Sequence, residues 1–386
     1  MNRNRVLTIL AFVSLCGSMF MRSFDPIIPD IAEGLHVLPS TAALLSTAFA
    51  LPFALVQPVL GALADMFSKP LLMLICLGLL SVATLAGSLV DNFELLLITR
   101  MIAGIGSGGL VPIAFAFVGD LVPVQDRQVA MGRLLFAIMT GNLLGATGAG
   151  VVADLFGWRE VFTAMSVLGF VILVVAFFGF RGLGSKGGGF DLSQTLPNYR
   201  AIFRNPLAKF CFITVVVEAM FMYGLFPHLA SLLQNVGEAR ASIAGIIIAG
   251  FGLGGAIYSL RVAWLLKRLG ERWMMRLGGI VMGACIAFVA VRPLWPVQVV
   301  DFMALGLAFY MLHAVVQIYA SELAPAARGS AMALHSFFFF MGQAVGPVFY
   351  KYGFAHVGIA PVLCFAGVML ALTGLMCGHY LRRGAT

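Results

Sequence analysis

Apolar residues in this chain come in long unbroken runs, without the strict alternation of a half-buried strand. The runs cover approximately 6–28, 40–63, 70–90, 94–119, 129–153, 158–180, 208–232, 241–265, 273–292, 296–320, 330–353 and 359–381. A helix needs about 20 mostly apolar residues to cross the hydrocarbon core of a bilayer, so the pattern predicts twelve transmembrane helices. The short alternating segments of a membrane β-barrel are not seen. The longest polar interval, 181–207, opens with Arg181-Gly-Leu-Gly-Ser-Lys-Gly-Gly-Gly. That is flexible-linker composition. It predicts an N-terminal six-helix bundle over 1–181, a linker over 182–207 and a C-terminal six-helix bundle over 208–386.

The two halves repeat. Asp120-Leu-Val-Pro123 followed by Arg127 matches Glu322-Leu-Ala-Pro325 followed by Arg328, and Gly141-Asn142-x-x-Gly145 matches Gly342-Gln343-x-x-Gly346. Gly104 pairs with Gly306 and Phe49 with Phe251, all at an offset of 201 or 202. Internal symmetry of this size predicts two pseudo-symmetric bundles with a solute site where they meet.

Composition agrees with this picture and changes it only in sign and sidedness. The 386 residues are 61% hydrophobic and 10% charged, with a mean hydropathy of +1.01, against about 25% charged in an average soluble domain. The net charge of +8 does not point to nucleic acid, because the basic residues sit between apolar runs and form no stripe or arm. With both termini inside, the outer loops and helix ends keep only Arg159, Arg240, Arg292 and Lys351 of the 24 Lys and Arg, and Arg22 and Arg100 fall within spans. The rest lie at inner ends, which predicts cytoplasmic termini. Residues 1–20 imitate a secretory signal but run on without a small-residue cleavage site, so they are read as an uncleaved first helix. Six cysteines (16, 76, 211, 285, 364, 377) lie in apolar runs without metal-ligand spacing, and are expected to be small buried hydrophobes.

The loop after the second run reads Gly61-Ala-Leu-Ala-Asp65-Met-Phe-Ser-Lys69. With the repeat, it resembles the marker loop of the major facilitator superfamily, and the resemblance extends over essentially the whole chain. It implies that Gly61 permits close packing and that Asp65, with Lys69 beside it, sits against the positive end of a neighbouring helix and holds one conformation. Met66 and Ser68 stand where the family usually has arginine and glycine. The corresponding loop of the second half, Lys267-Arg-Leu-Gly-Glu271-Arg272, keeps only the charge. Further motifs are similar to those of the drug:proton antiporter branch. Arg100 with Gly104, Gly106 and Gly108 resembles its fourth-helix motif. Gly141-Asn-Leu-Leu-Gly145-Ala146-Thr-Gly148-Ala-Gly150 resembles its glycine-rich fifth helix, with Ala146 where proline is usual; the second half keeps Gly346-Pro347. Asp25-Pro26-Ile-Ile-Pro29 resembles the end of its first helix.

Glu218 stands out on its own chemistry. It lies about ten residues into the seventh run, near the bilayer midplane, between Val215, Val216, Val217, Ala219 and Met220. A carboxylate in such surroundings suits a group that gains and loses a proton, and Asp25 is the fallback. Arg22, Arg100, Asp301, His228, Asn142 and Gln343 are expected to line a substrate cavity, since each is too polar for lipid. His313, His335 and Gln317 read as groups that hydrogen-bond between helices. Plainer readings stand beside these: a permanent salt bridge from Glu218 to Arg22 or Arg100, and simple packing for the glycines.

No phosphate-binding loop and no catalytic constellation occurs, so neither an enzyme nor a nucleotide, metal or other cofactor is expected. The expectation is a monomeric secondary transporter of the bacterial plasma membrane, its partners a small solute, protons and the lipid bilayer, with no nucleic acid. The resemblance implies export of an amphipathic organic solute in exchange for protons. Two alternatives remain: a proton-coupled carrier of an anionic or zwitterionic metabolite, and a non-transporting receptor or scaffold on the same fold.

Overall fold

The computed structural model describes residues 3–183 and 192–381; side chains of 60–66 and of a few other positions lie outside the described residues, as does the glycine-rich start of the linker. Eleven runs are long and apolar enough to cross a membrane. One of them, Ala241–Val291, is double: the helix Ala241–Phe288 breaks at Gly270, whose φ of 69° and ψ of 163° are not helical. Only glycine takes that backbone freely. Twelve spanning helices result among the described residues.

We label these α1 (Arg3–Arg22), α2 (Leu44–Met66), α3 (Lys69–Leu89), α4 (Phe93–Leu121), α5 (Val124–Phe156) and α6 (Trp158–Gly179). In the second half, α7 is Ala208–Glu218, followed by a π turn Ala219–Tyr223 and the helix Phe226–Gln234. Then come α8 (241–269), α9 (271–288), α10 (Trp295–Ser321), α11 (Arg328–His356) and α12 (Ile359–Tyr380). Among the described residues there is no strand. All backbone hydrogen bonds of a helix close within the segment, which is what a span in lipid requires.

Two features add to the sequence reading or depart from it. The second part of the 181–207 interval is helical, Leu192–Arg204; Ile202 is buried and the Phe203 ring packs edge-on against Phe212 and Phe338. Cys364 is exposed while the other five cysteines are buried, and all six are free thiols.

The chain divides into two compact units. The first takes Met1–Phe190 with Leu229–Ser231 and Glu238–Gly245; the second takes the remainder. Inside each unit the helices touch backbone to backbone at glycines, and they do so in the same register. A Cβ added to Gly104 would lie 2.2 Å from the Phe49 carbonyl oxygen, and one on Gly306 would lie 2.0 Å from that of Phe251. Gly141 and Gly145 sit in the same way on the carbonyls of Leu15 and Met19, at 2.3 and 2.5 Å, and Gly342 and Gly346 on those of Val216 and Met220, both at 2.3 Å. Thus α1 crosses α5 as α7 crosses α11, and α2 crosses α4 as α8 crosses α10. The sequence repeat is a repeat of helix crossings.

The first unit also holds the start of α8. Asp154 on α5 accepts hydrogen bonds from the backbone N–H groups of Ala241 (2.8 Å) and Ser242 (3.0 Å), an anion against the positive end of a helix. Lys69 pairs with Asp120 at 2.8 Å, and Arg127 Nε donates to the Val122 carbonyl at 2.9 Å. The repeated Asp120–Arg127 segment therefore ties the end of α4 to the start of α3.

Gly104→Ala and Gly306→Ala should each destabilise the protein by about 1–3 kcal/mol or more, because backbone must move to admit one methyl group. Gly148→Ala, with open space at its Cβ, should be neutral or stabilise by about 0.5–1 kcal/mol. Thermal unfolding of the three variants in detergent measures both.

Candidate functional site

Among the described residues, each unit encloses a cluster of buried ionisable side chains. That of the first unit forms where α1 ends. Pro26 and Pro29, at the starts of the short helices that follow, break the chain after Arg22 because proline offers no N–H to continue the ladder. The break turns Asp25 inward. Arg22 Nη1 donates to Asp25 Oδ2 at 3.3 Å, and Ser46 Oγ donates to Asp25 Oδ1 at 2.9 Å. Arg22 and Asp25 are both buried.

Arg100 completes this cluster from α4, at 1% exposure. Its guanidinium lies 3.8 Å from the centroid of Phe24 and 4.4 Å from that of Phe49. Its Nε and Nη1 have no hydrogen-bond partner. A cation–π contact is worth about 0.5–2 kcal/mol, whereas taking a guanidinium out of water costs several kcal/mol. The two rings alone do not offset that cost. Asp25, whose charge acts on both Arg22 and Arg100, is the necessary remainder.

The second unit holds Glu218 at the last position of the regular part of α7, directly before the π turn. Such turns loosen the i→i+4 ladder and recur at functional sites. Glu218 Oε1 contacts His313 Nδ1 of α10. The Glu218 side chain is 0% exposed and that of His313 14%. The His313 ring stacks on Phe309, with centroids 4.8 Å apart, and meets Phe339 and His335 edge-on, each at 5.2 Å. Glu218 Oε2 and His335 Nε2 have no hydrogen-bond partner. Thr214 and Cys377 pair their hydroxyl and thiol at 2.8 Å, with Cys211 and Glu218 close enough to act on the thiol.

The remaining residues named from sequence are placed here each within its own unit. His228 is buried within the second unit, its Nε2 3.1 Å from the carbonyl oxygen of Pro347 and its ring against Tyr350 and Phe354. Asp301 lies in the second unit, beside Cys285 of α9. Asn142 is half-buried with an unpartnered Oδ1, and Gln343 is buried. Gly141, Gly145 and Gly346 are crossing points of helices, Pro347 follows one of them, and Lys69 is paired with Asp120. The side-chain surroundings of Asp65, and the contacts of Gly61, lie outside the described residues.

His313, expected to hydrogen-bond between helices, does so to Glu218; nothing in the sequence pairs the two, since 95 positions separate them and His313 is one of several mid-span polar groups. Ser46, Phe24 and Phe49 carried no signal beyond apolar or small character. Arg22 and Asp25 are one helical turn apart, a spacing that brings their side chains within reach of each other.

This fold, two units of six helices with repeated crossings and a buried ionisable cluster in each, is that of a secondary transporter. The chain belongs to the Major Facilitator Superfamily, whose family profile matches residues 10–240 and 212–385. It is a multi-pass membrane protein and not an enzyme. It is similar to Multidrug resistance protein 2 of Bacillus subtilis (strain 168), 25% identical over 348 residues that cover 87% of this chain and 86% of that protein. It is also similar to Quinolone resistance protein NorA of Staphylococcus aureus (strain COL), 26% identical over 362 residues, 90% of this chain and 89% of that one. Among solved structures, the D-xylose-proton symporter matches with a TM-score of 0.77 at 15% identity, covering 98% of both chains. A bacterial homolog of the human lysosomal transporter Spinster, inward-facing and unoccupied, matches with 0.72 at 18% identity, covering 97% of this chain and 94% of that one.

Asp25→Asn removes the anion between two buried guanidinium groups and should cost about 3–5 kcal/mol. Ser46→Ala removes one hydrogen bond to it and should cost about 1 kcal/mol. Both are read from thermal or denaturant unfolding of the purified protein.

Proposed function

We propose that this transporter exports a small amphipathic organic solute in exchange for protons, by alternating access, from a bacterial cytoplasm across the plasma membrane. The observation that carries the reading is the Glu218–His313 pair: a wholly buried carboxylate in contact with an imidazole, beside a π turn, in the core of a membrane protein. A buried ion pair of this kind contributes little to stability compared with apolar packing, and ionisable groups inside a membrane bundle mark ion and substrate pathways. Names of relatives add support, since two of them are called multidrug and quinolone resistance proteins. The charge bias of the loops supports cytoplasmic termini. In this reading the halves 1–181 and 208–386 are the moving parts, and Glu218 carries the proton. Asp25 is the second candidate carboxylate, and Asp65 with Lys69 steadies one conformation.

One observation favours a second reading, a carrier for a solute with an anionic group. Arg100 is buried with two nitrogens unpartnered, and their N–H groups would donate to a carboxylate or phosphate oxygen. Arg22, Asn142, Gln343, His228 and Asp301 then serve as supporting cavity groups.

Glu218→Gln mimics the protonated carboxyl. It should leave the protein folded, bind solute at every pH with one affinity, and release no protons on adding solute. Proton release from wild type with amphipathic cations, but not with organic anions, supports the first reading; the opposite preference supports the second. A glutamine variant with a normal pH profile would remove Glu218 from the mechanism.

A further inference from the structure

Glu218 has a problem that its burial creates. A group that exchanges protons with water needs a route to water, and its own side chain has no exposed surface. The titratable groups that face it from the packed helices are few. His313 comes from α10, His335 from α11 and Cys377 from α12, and Cys211 lies on α7 itself, next to Cys377. Cys211 and Cys377 are buried and His335 is 2% exposed. Tyr258 of α8 and Glu271 of α9 meet α10 at Tyr310 and Tyr319, not at His313. Of the cluster only His313 reaches accessible surface, at 14%. Tyr310, His313 and Gln317 follow at i, i+3 and i+7 and share one face of α10; Tyr310 and His313 are half-buried and Gln317 is exposed.

We propose that His313 is the proton port of Glu218, the group through which every proton reaches and leaves the buried carboxylate. The inference rests on the reading that Glu218 carries the coupled proton, and adds to it the residue that loads it. The imidazole suits the task because it has two nitrogens on opposite edges of one ring. Nδ1 is committed to Glu218 Oε1, which leaves Nε2 for the accessible side. With the carboxylate ionised and the ring neutral, Nδ1–H donates to Oε1. A proton from water binds Nε2, forming an N–H bond and a transient imidazolium. The Nδ1–H bond then breaks as the proton moves to Oε1, leaving neutral Glu218 and a neutral ring protonated at Nε2. Unloading is the reverse: Oε1 returns its proton to Nδ1, Nε2–H releases to water, and the starting tautomer is restored. One proton enters or leaves per cycle, and no other reactant is needed. Stacking on Phe309 and edge contact with Phe339 hold the ring plane so that one nitrogen stays on the carboxylate. His335 touches the port but lacks its exposure, so it is a neighbour of the route and not part of it.

The test uses protons alone as the probe, on the purified full-length protein. The protonated carboxyl of Glu218 is followed by its infrared C=O stretch after a rapid pH jump, and identified as the band that Glu218→Gln removes. In His313→Gln, which keeps a hydrogen-bonding side chain beside Glu218, the band should appear about 100-fold more slowly, the scale of a lost general acid–base partner. His335→Gln should load at the wild-type rate. Imidazole added to the buffer should accelerate loading in His313→Gln and leave wild type unchanged. Should the glutamine variant not fold, His313→Asn takes its place under the same expectations. If Glu218 loads at the wild-type rate without the imidazole ring at 313, the port is wrong while Glu218 remains the carrier. If no band assigned to Glu218 titrates in wild type, the underlying reading fails first.

Discussion

Contact between helix backbones at glycine is the constraint from which the architecture follows. Lipid tails are as apolar as leucine, so no hydrophobic force drives one membrane helix onto another; close packing has to do it. Gly104 on Phe49, Gly141 on Leu15 and Gly145 on Met19 bring α4 onto α2 and α5 onto α1, and Gly306, Gly342 and Gly346 do the same in the second half. A methyl group at these places would stand about 2 Å from a carbonyl oxygen. The spacing of helices, and so the depth at which each polar side chain is enclosed, is set at these crossings.

A scaffold repeated so faithfully makes the differences between its halves informative. At the repeat offset, Glu218 corresponds to Gly17 and His313 to Val111, while Arg22, Asp25 and Arg100 correspond to Tyr223, Phe226 and Phe302. Where the first unit places fixed charges, the second places rings: Tyr223 packs on Phe226 and Phe251, and Phe226 on Phe302. Where the second unit places its carboxylate and imidazole, the first is apolar. One set of crossings therefore supports two different chemistries, and neither cluster is a relic of duplication.

The clusters also differ in what they allow. Arg22 and Arg100 stay protonated in proteins, and Asp25 acts on both of them while Phe24 and Phe49 cradle Arg100. Such a cluster is a fixed electrostatic feature of its unit. Glu218 and His313 can instead lose charge together by moving one proton between them. A pair that can become neutral tolerates a closed, dry surrounding, and a pair that can separate charge responds to water or to a charged solute.

The transmembrane fold was legible because lipid imposes its demand on composition directly: runs of about 20 apolar residues, basic residues displaced to the loops, and repeated glycines at a constant offset are properties of the linear chain. Glu218 stood out for the same reason, since a carboxylate amid valines is costly in lipid unless it is paired or protonated. The Arg22–Asp25 pair was readable because one helical turn separates its members. Only the tertiary structure decided which partner each buried group meets. His313 lies 95 positions from Glu218, and its match came from α10 rather than from the arginines that the charge inventory offered. Phe24 and Phe49 became the cradle of Arg100 because α1, α2 and α4 converge there, and no property of a phenylalanine in an apolar run announces that. Likewise the helix at 192–204 follows from Phe203 finding Phe212 and Phe338. Periodicity and hydropathy are carried by residues next to one another in the chain, whereas the pairing of charges depends on which helix faces turn toward each other, and that is settled only when the crossings form.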